Sequence, residues 1–165
     1  MSSFSIANTL TLRNFYNGNR SYAVKTSRSD ISNDKLSYAD SLALRRAVKK
    51  LGSYDFKNAD EDDLEEMVRG FVDTYNYTLD SSKYSTNRSV QSAYKGIKKL
   101  AETYADDLEN IGIKADSSGY LKLSSSAKSN IKGSRFQEKL GSDSAFMKQL
   151  SSYAKQISNH IDLYL

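Results

Sequence analysis

Apolar residues recur at helical spacing along most of this 165-residue chain. Leu36, Ala39, Ala43, Leu44, Ala47, Val48 and Leu51 form one stripe and predict a helix over about 34–51. Asn33 or Asp34 is placed to cap it, and Gly52 to end it in a positive-φ conformation. A second stripe, Leu64, Met67, Val68, Phe71, Val72, Tyr75 and Leu79, predicts a helix over about 60–80, with Asn58-x-x-Glu61 reading as a capping box. The third helix, about 88–111, carries a heptad pattern. Val90, Ile97, Tyr104 and Ile111 lie seven apart, and Tyr94, Ala101 and Leu108 interleave with them. Phe146, Leu150, Tyr153, Ile157, Ile161 and Tyr164 predict a last helix running to about 164 from a start at Ser142 or Asp143.

Between these stripes the pattern changes. Gly112 should stop the third helix, and Ile113–Ala115 and Gly119–Leu123, joined by Asp116-Ser117-Ser118, read as a short hairpin. A brief helix is expected near 125–132, and Ser134-x-x-Gln137 reads as a capping box opening a short segment with Phe136 and Leu140. The first thirty residues are rich in Ser, Asn and Thr, and Asn17-Gly18 between Thr9–Tyr16 and Asn19–Thr26 suggests a hairpin or a loose arm. The expected fold is mainly α. It is an antiparallel helical bundle with coiled-coil-like packing and a minor short β-hairpin, as one helical domain over 31–165 behind a polar arm over 1–30. No apolar run reaches the ~20 residues that cross a bilayer. The N-terminus also lacks the basic and apolar regions of a Sec-type signal peptide.

Composition removes several chemistries. With no cysteine there is no disulfide, thiolate metal site or cysteine nucleophile, and with no proline the chain has no proline break to long helices. The twelve tyrosines suit surfaces wet at one end and apolar at the other. The net charge of +4 is strongly partitioned along the chain. Residues 1–50 carry nine basic and three acidic side chains (+6), residues 51–80 two and nine (−7), and residues 81–165 thirteen and eight (+5). Such blocks favour contacts between segments or between copies through complementary fields.

Candidate catalytic groups are few. His160 has Ser158 and Asp162 two residues away, but on a helix that spacing rotates side chains by roughly 200°, which rules out a triad among neighbours. The acidic cluster from Asp60 to Glu66 matches a helix start better than a calcium loop, because the sixth position counted from Asn58 is Asp63 rather than Gly. The glycines form no phosphate loop, and no serine sits in G-x-S-x-G. The residues point to no catalytic site, metal or cofactor. Arg45, Arg46, Lys49 and Lys50 form a basic ridge open to phosphates or an acidic partner, with Lys95, Lys98 and Lys99 as a second patch.

The order of motifs over about 64–150 carries further information. Phe71-Val72-x-x-Tyr75-Asn76 is followed by Leu108-x-x-Ile111-Gly112-Ile113 and then Asp116-x-x-Gly119-x-Leu121-x-Leu123. This order resembles the C-terminal stalk region of the flagellar filament-capping protein, hook-associated protein 2. The resemblance implies a helical stalk, export through the flagellar secretion channel without a cleaved signal, and partners among copies of itself or flagellar axial subunits. The chain departs from that family after Leu123, where Ser124-Ser125-Ser126-Ala127 stand in place of an Asp and a Leu-bearing helix, and residues 1–60 match nothing in it. The favoured expectation is a non-enzymatic structural or interaction protein. In it Val90, Tyr94, Ile97, Tyr104 and Leu108 hold the bundle, with Phe71 and Tyr75 packed on them. The alternative is a cytoplasmic nucleic-acid-associated or regulatory helical protein using the 45–50 ridge.

Overall fold

The computed structural model describes residues 6–124 and 133–161, and the side chains among these except 6–9 and 25–27. The fold is mainly α with one small antiparallel sheet. Its elements are α1 (Ile6–Phe15), α2 (Asn33–Gly52), α3 (Glu61–Ser82), α4 (Arg88–Thr103), α5 (Ala105–Glu109), β1 (Ile113–Ala115), β2 (Leu121–Leu123), α6 (Gly133–Leu140) and α7 (Ala145–His160).

Four helices make the core. α2 packs on α3 and α7, and α4 packs on α7 and α3, which closes a four-membered ring of helices. Chain direction follows from paired contacts. Along α2 and α7, Arg45 meets Ser158 while Gly52 lies against Ser142, so the two run antiparallel. Along α4 and α7, Gln156 donates to the Ser89 carbonyl at 2.8 Å while Tyr104 stacks edge-on with Phe146, again antiparallel. The short α2–α3 and α3–α4 connections complete an up-down-up-down bundle. Gly96 makes the α4–α7 contact close: a Cβ there would lie 2.5 Å from the Tyr153 ring.

The stripes of α2 and α3 are buried as their spacing requires, with Val48 and Met67 half-buried at the edges. The third helix differs from its expectation. The chain leaves helical geometry at Tyr104 (φ −104°, ψ 17°), re-enters it as α5, and ends near Gly112 at φ 82°. Asp106 and Asp107 follow the break and occupy the first turn of α5, where the helix dipole favours acidic groups. The seam also shifts. Val90, Ile97, Ala101, Leu108 and Ile111 are buried as expected, but Ala93 and Leu100 join them in the core, while Tyr94 is half-buried with the Lys98 ammonium over its ring. A tyrosine hydroxyl is better placed at the wet edge of a seam than at its centre.

Capping expectations at both ends of α2 and at the starts of α3, α6 and α7 also change. Asp60, not Asn58, caps α3, its Oδ1 accepting from Asp62 N at 2.9 Å and Asp63 N at 3.3 Å, while Asn58 bonds to Asp55. Ser134 lies inside α6, and Ser144 caps α7 by accepting from Met147 N. Gly52 is the last residue of α2, and positive φ is absent there; Ser32 occupies the N-cap position. α7 stops at His160, because Ile161 is extended. The helix expected near 125–132, and Tyr164, lie outside the described residues.

The N-terminal expectation is corrected outright. Residues 6–15 are helical, and the chain after the Asn17-Gly18 turn forms two short 3₁₀ segments, Arg20–Ala23 and Lys25–Asp30, rather than a strand. Leu12, Phe15 and Tyr16 are buried at helical spacing against the bundle, and this packing outweighs the local turn signal. α1 runs parallel to α3: Thr11 donates to Glu66, and Phe15 reaches Gly70.

A buried ion pair anchors this segment. Arg28 grips the Asp40 carboxylate with Nη1 to Oδ1 at 2.8 Å and Nη2 to Oδ2 at 2.7 Å, and Asp40 is fully buried. Tyr16 and Ser81 also donate to that carboxylate, and the Arg28 guanidinium lies 4.0 Å from the Tyr77 ring centroid. Burial opposes the charge on Arg28, but hydrogen bonding and attraction from Asp40 outweigh it, so the guanidinium is held more firmly charged. Burial and then the Asp40 charge raise the Tyr16 phenol, keeping it a donor.

Candidate interaction surface

The motifs that carry the family resemblance meet in space. Asp116 Oδ1 accepts from Ser118 N at 2.8 Å and Tyr120 N at 3.0 Å, and Gly119 takes φ 86°, a conformation that favours glycine. This turn sets β1 against β2 with Ile113 opposite Leu123 and Ala115 opposite Leu121. The Asn76 side chain then occupies the free edge of β2, donating to the Leu121 carbonyl at 2.8 Å and accepting from Leu121 N at 2.9 Å. Tyr75 Oη donates to the Gly119 carbonyl at 2.8 Å. Burial, and then the Asp116 charge, raise the Tyr75 phenol, so it stays neutral. A side-chain amide that copies the strand pattern blocks an edge otherwise open to another chain. Tyr75-Asn76 and Asp116-x-x-Gly119-x-Leu121 are therefore two halves of one clamp. Removing the amide with Asn76→Ala is expected to cost about 1–3 kcal/mol and to speed hydrogen exchange at the Leu121 amide. Unchanged exchange there would mean the amide does not hold the strand.

Phe71, Tyr75, Val90, Ile97 and Leu108 are buried in the core, and Tyr94 and Tyr104 are half-buried. These residues hold the bundle and present little surface to a partner. The groups that face solvent together are the cations. Arg45, Arg46 and Lys49 line a groove of about 440 Å³ with Leu42 and Ser151. It continues into a second hollow of about 310 Å³ along Val48, Lys49, Gly52, Met147, Lys148 and Ser151. Among the described residues, no acidic side chain lines either part. Arg46 spends one arm on the Phe15 carbonyl at 2.8 Å, and Arg45 reaches Ser158 at 3.4 Å. Lys50 is exposed and lies off the groove. Lys148 belongs to the same basic surface, but its sequence neighbours carry no signal of this. Only the antiparallel seating of α7 on α2 brings it there.

The second patch is more mixed. Lys95, Lys98 and Lys99 line a cleft of about 610 Å³ between α4 and the hairpin turn, but Glu102 and Asp116 share it. His160 is exposed at the end of α7, with its carbonyl accepting from Asn87. Asp162 lies outside the described residues, and no group of three metal-ligating side chains gathers among the described ones.

The acidic block is mostly solvent-facing. Glu61, Asp62 and Asp63 are exposed at the first turn of α3, while Glu65 pairs with Arg69 at 2.6 Å. Further along, burial pushes the Asp73 carboxyl up to about 6, against the opposing pull of Arg69. A carboxyl raised in the folded state binds more protons there than when unfolded, so its contribution to stability falls as pH rises from about 4 to about 6. Asp73→Asn is expected to flatten the pH dependence of the melting temperature in that window and to raise stability at pH 7. An unchanged profile would place Asp73 in water.

No protein-family model, curated protein or solved structure matches this chain.

Proposed function

We propose that this chain is a non-enzymatic structural protein related to the capping-protein stalk, which binds acidic helical subunits, its own or flagellar axial ones, along the α2–α7 groove. The carrying observation is the groove itself: Arg45, Arg46, Lys49 and Lys148 converge from two helices around an apolar floor, with no carboxylate among the described residues that line it. The kinship is supported by the clamp, because two of the three resembling motifs, Phe71–Asn76 and Asp116–Leu123, supply its two sides. No aromatic residue is among the described residues lining the groove, so they supply no base-stacking surface for single-stranded nucleic acid. Export through the flagellar channel belongs to the same proposal and rests on the resemblance.

Titration of purified flagellin and of random-sequence DNA into the protein separates this reading from the nucleic-acid one. The proposal expects saturable flagellin binding that Arg45→Ala with Lys49→Ala weakens. Binding of DNA alone, weakened by the same substitutions and by salt, would favour the nucleic-acid reading.

A further inference from the structure

We infer that the α2–α7 groove of one copy receives the acidic first turn of α3 from a second copy. This inference rests on the proposed reading of the groove as a binding surface and names its occupant. Arg45, Arg46, Lys49 and Lys148 make no ion pair with an acidic residue among the described residues. Glu61 and Asp63 stand exposed at the start of a 22-residue helix, with Asp60 holding that turn in shape.

Neither Glu61 nor Asp63 pairs with these cations among the described residues. α1 meets both helices, accepting from Arg46 at its Phe15 carbonyl and donating from Thr11 to Glu66. α2 and α3 meet through their apolar stripes, and no ion pair joins the α2 cations to α3. Complementary charge left apart in one molecule is available between two.

The groove also fits a helical turn. Its floor offers Leu42, Val48 and Met147, and Ser151 is a small residue shared by both parts. The two faces are different surfaces of the same chain, and the proposed contact joins copies head to tail, groove to turn. Each added copy leaves one groove and one acidic turn unused, and association continues past the dimer. Contacts between exposed charges are individually weak and screened beyond ~8 Å at physiological salt, so the assembly forms at low salt and high concentration.

Two neutralised variants test this without creating new attractions. Arg45→Ala/Lys49→Ala/Lys148→Ala disables the groove, and Glu61→Gln/Asp63→Asn disables the turn while keeping the Asp60 cap. Circular dichroism melts establish that both fold. Light scattering at low salt is expected to show a rising mass for the wild type and a mass of 18.5 kDa for each variant alone. A mixture of the two retains one intact groove and one intact turn, and is expected to give a 1:1 complex of twice that mass and nothing larger. A groove variant that associates like the wild type, a mixture that stays monomeric, or a wild type that is monomeric at every concentration would each overturn the inference. In that last case continued flagellin binding by the groove would leave the proposed function standing, whereas its loss would remove both.

Discussion

Asp40→Ala is expected to destabilise the fold by about 3–5 kcal/mol, the cost of leaving one partner of a buried ion pair without the other. Arg28 has a side chain only 10% exposed, and its guanidinium would remain under Tyr22 and Tyr77 with no counter-charge. Tyr16 and Ser81 would lose their acceptor as well. Because these groups tie residues 16–28 to α2 and α3, the loss should be read first in the N-terminal segment. Hydrogen exchange is expected to accelerate over residues 10–31 before the four-helix core opens. A double replacement, Arg28→Met with Asp40→Leu, should recover much of the loss, since an apolar pair of similar volume needs no solvation. A urea melt of Asp40→Ala showing under ~1 kcal/mol of loss would mean that water reaches the pair and that α1 is not held by it.

Leu108→Ala is expected to cost about 2–5 kcal/mol. Leu108 is 1% exposed on a helix of only five residues, α5, whose place depends on this contact more than on its own hydrogen bonds. The side chain sits beside Tyr104 and Phe146, so its loss opens a cavity where α4, α5 and α7 meet. The Lys139–Asp107 bond at 2.7 Å cannot compensate, because both partners keep solvent nearby. A loss below ~0.5 kcal/mol would place α5 outside the core.

The long stripes were legible because burial on one face forces a helical period. Leu36 to Leu51 and Leu64 to Leu79 therefore emerged with boundaries close to those of α2 and α3. The hairpin was legible for a different reason: Asp116 and Gly119 have distinct jobs in a tight turn, and both jobs can be read locally. α1 was not legible. Leu12, Phe15 and Tyr16 are too few to form a convincing stripe, and their helical state is stabilised by packing on α2 and α3. The break at Tyr104 was hidden for a related reason, since the apolar spacing runs on through Leu108 and Ile111 while the backbone steps out of the helix.

The surface was half legible. Arg45, Arg46 and Lys49 announce a basic face of α2, yet the groove exists only because α7 adds Lys148, Met147 and Ser151 about a hundred residues later. Asp40 carries a signal readable in the pattern: it falls beside Ala39 on the buried side of the α2 stripe. A carboxylate there requires a partner. Nothing in the spacing shows that the partner is Arg28, because the intervening chain turns through 3₁₀ segments that have no regular period.

The central claim is that this bundle works by binding other helical subunits through a basic groove. Light scattering of the wild-type protein, alone and with flagellin, at low and high salt, tests it most directly. The account predicts a mass that rises with concentration at low salt, a complex with flagellin or a self-assembly that salt weakens, and loss of both on Arg45→Ala/Lys49→Ala/Lys148→Ala. A monomeric mass under every condition, with no flagellin complex, would contradict it.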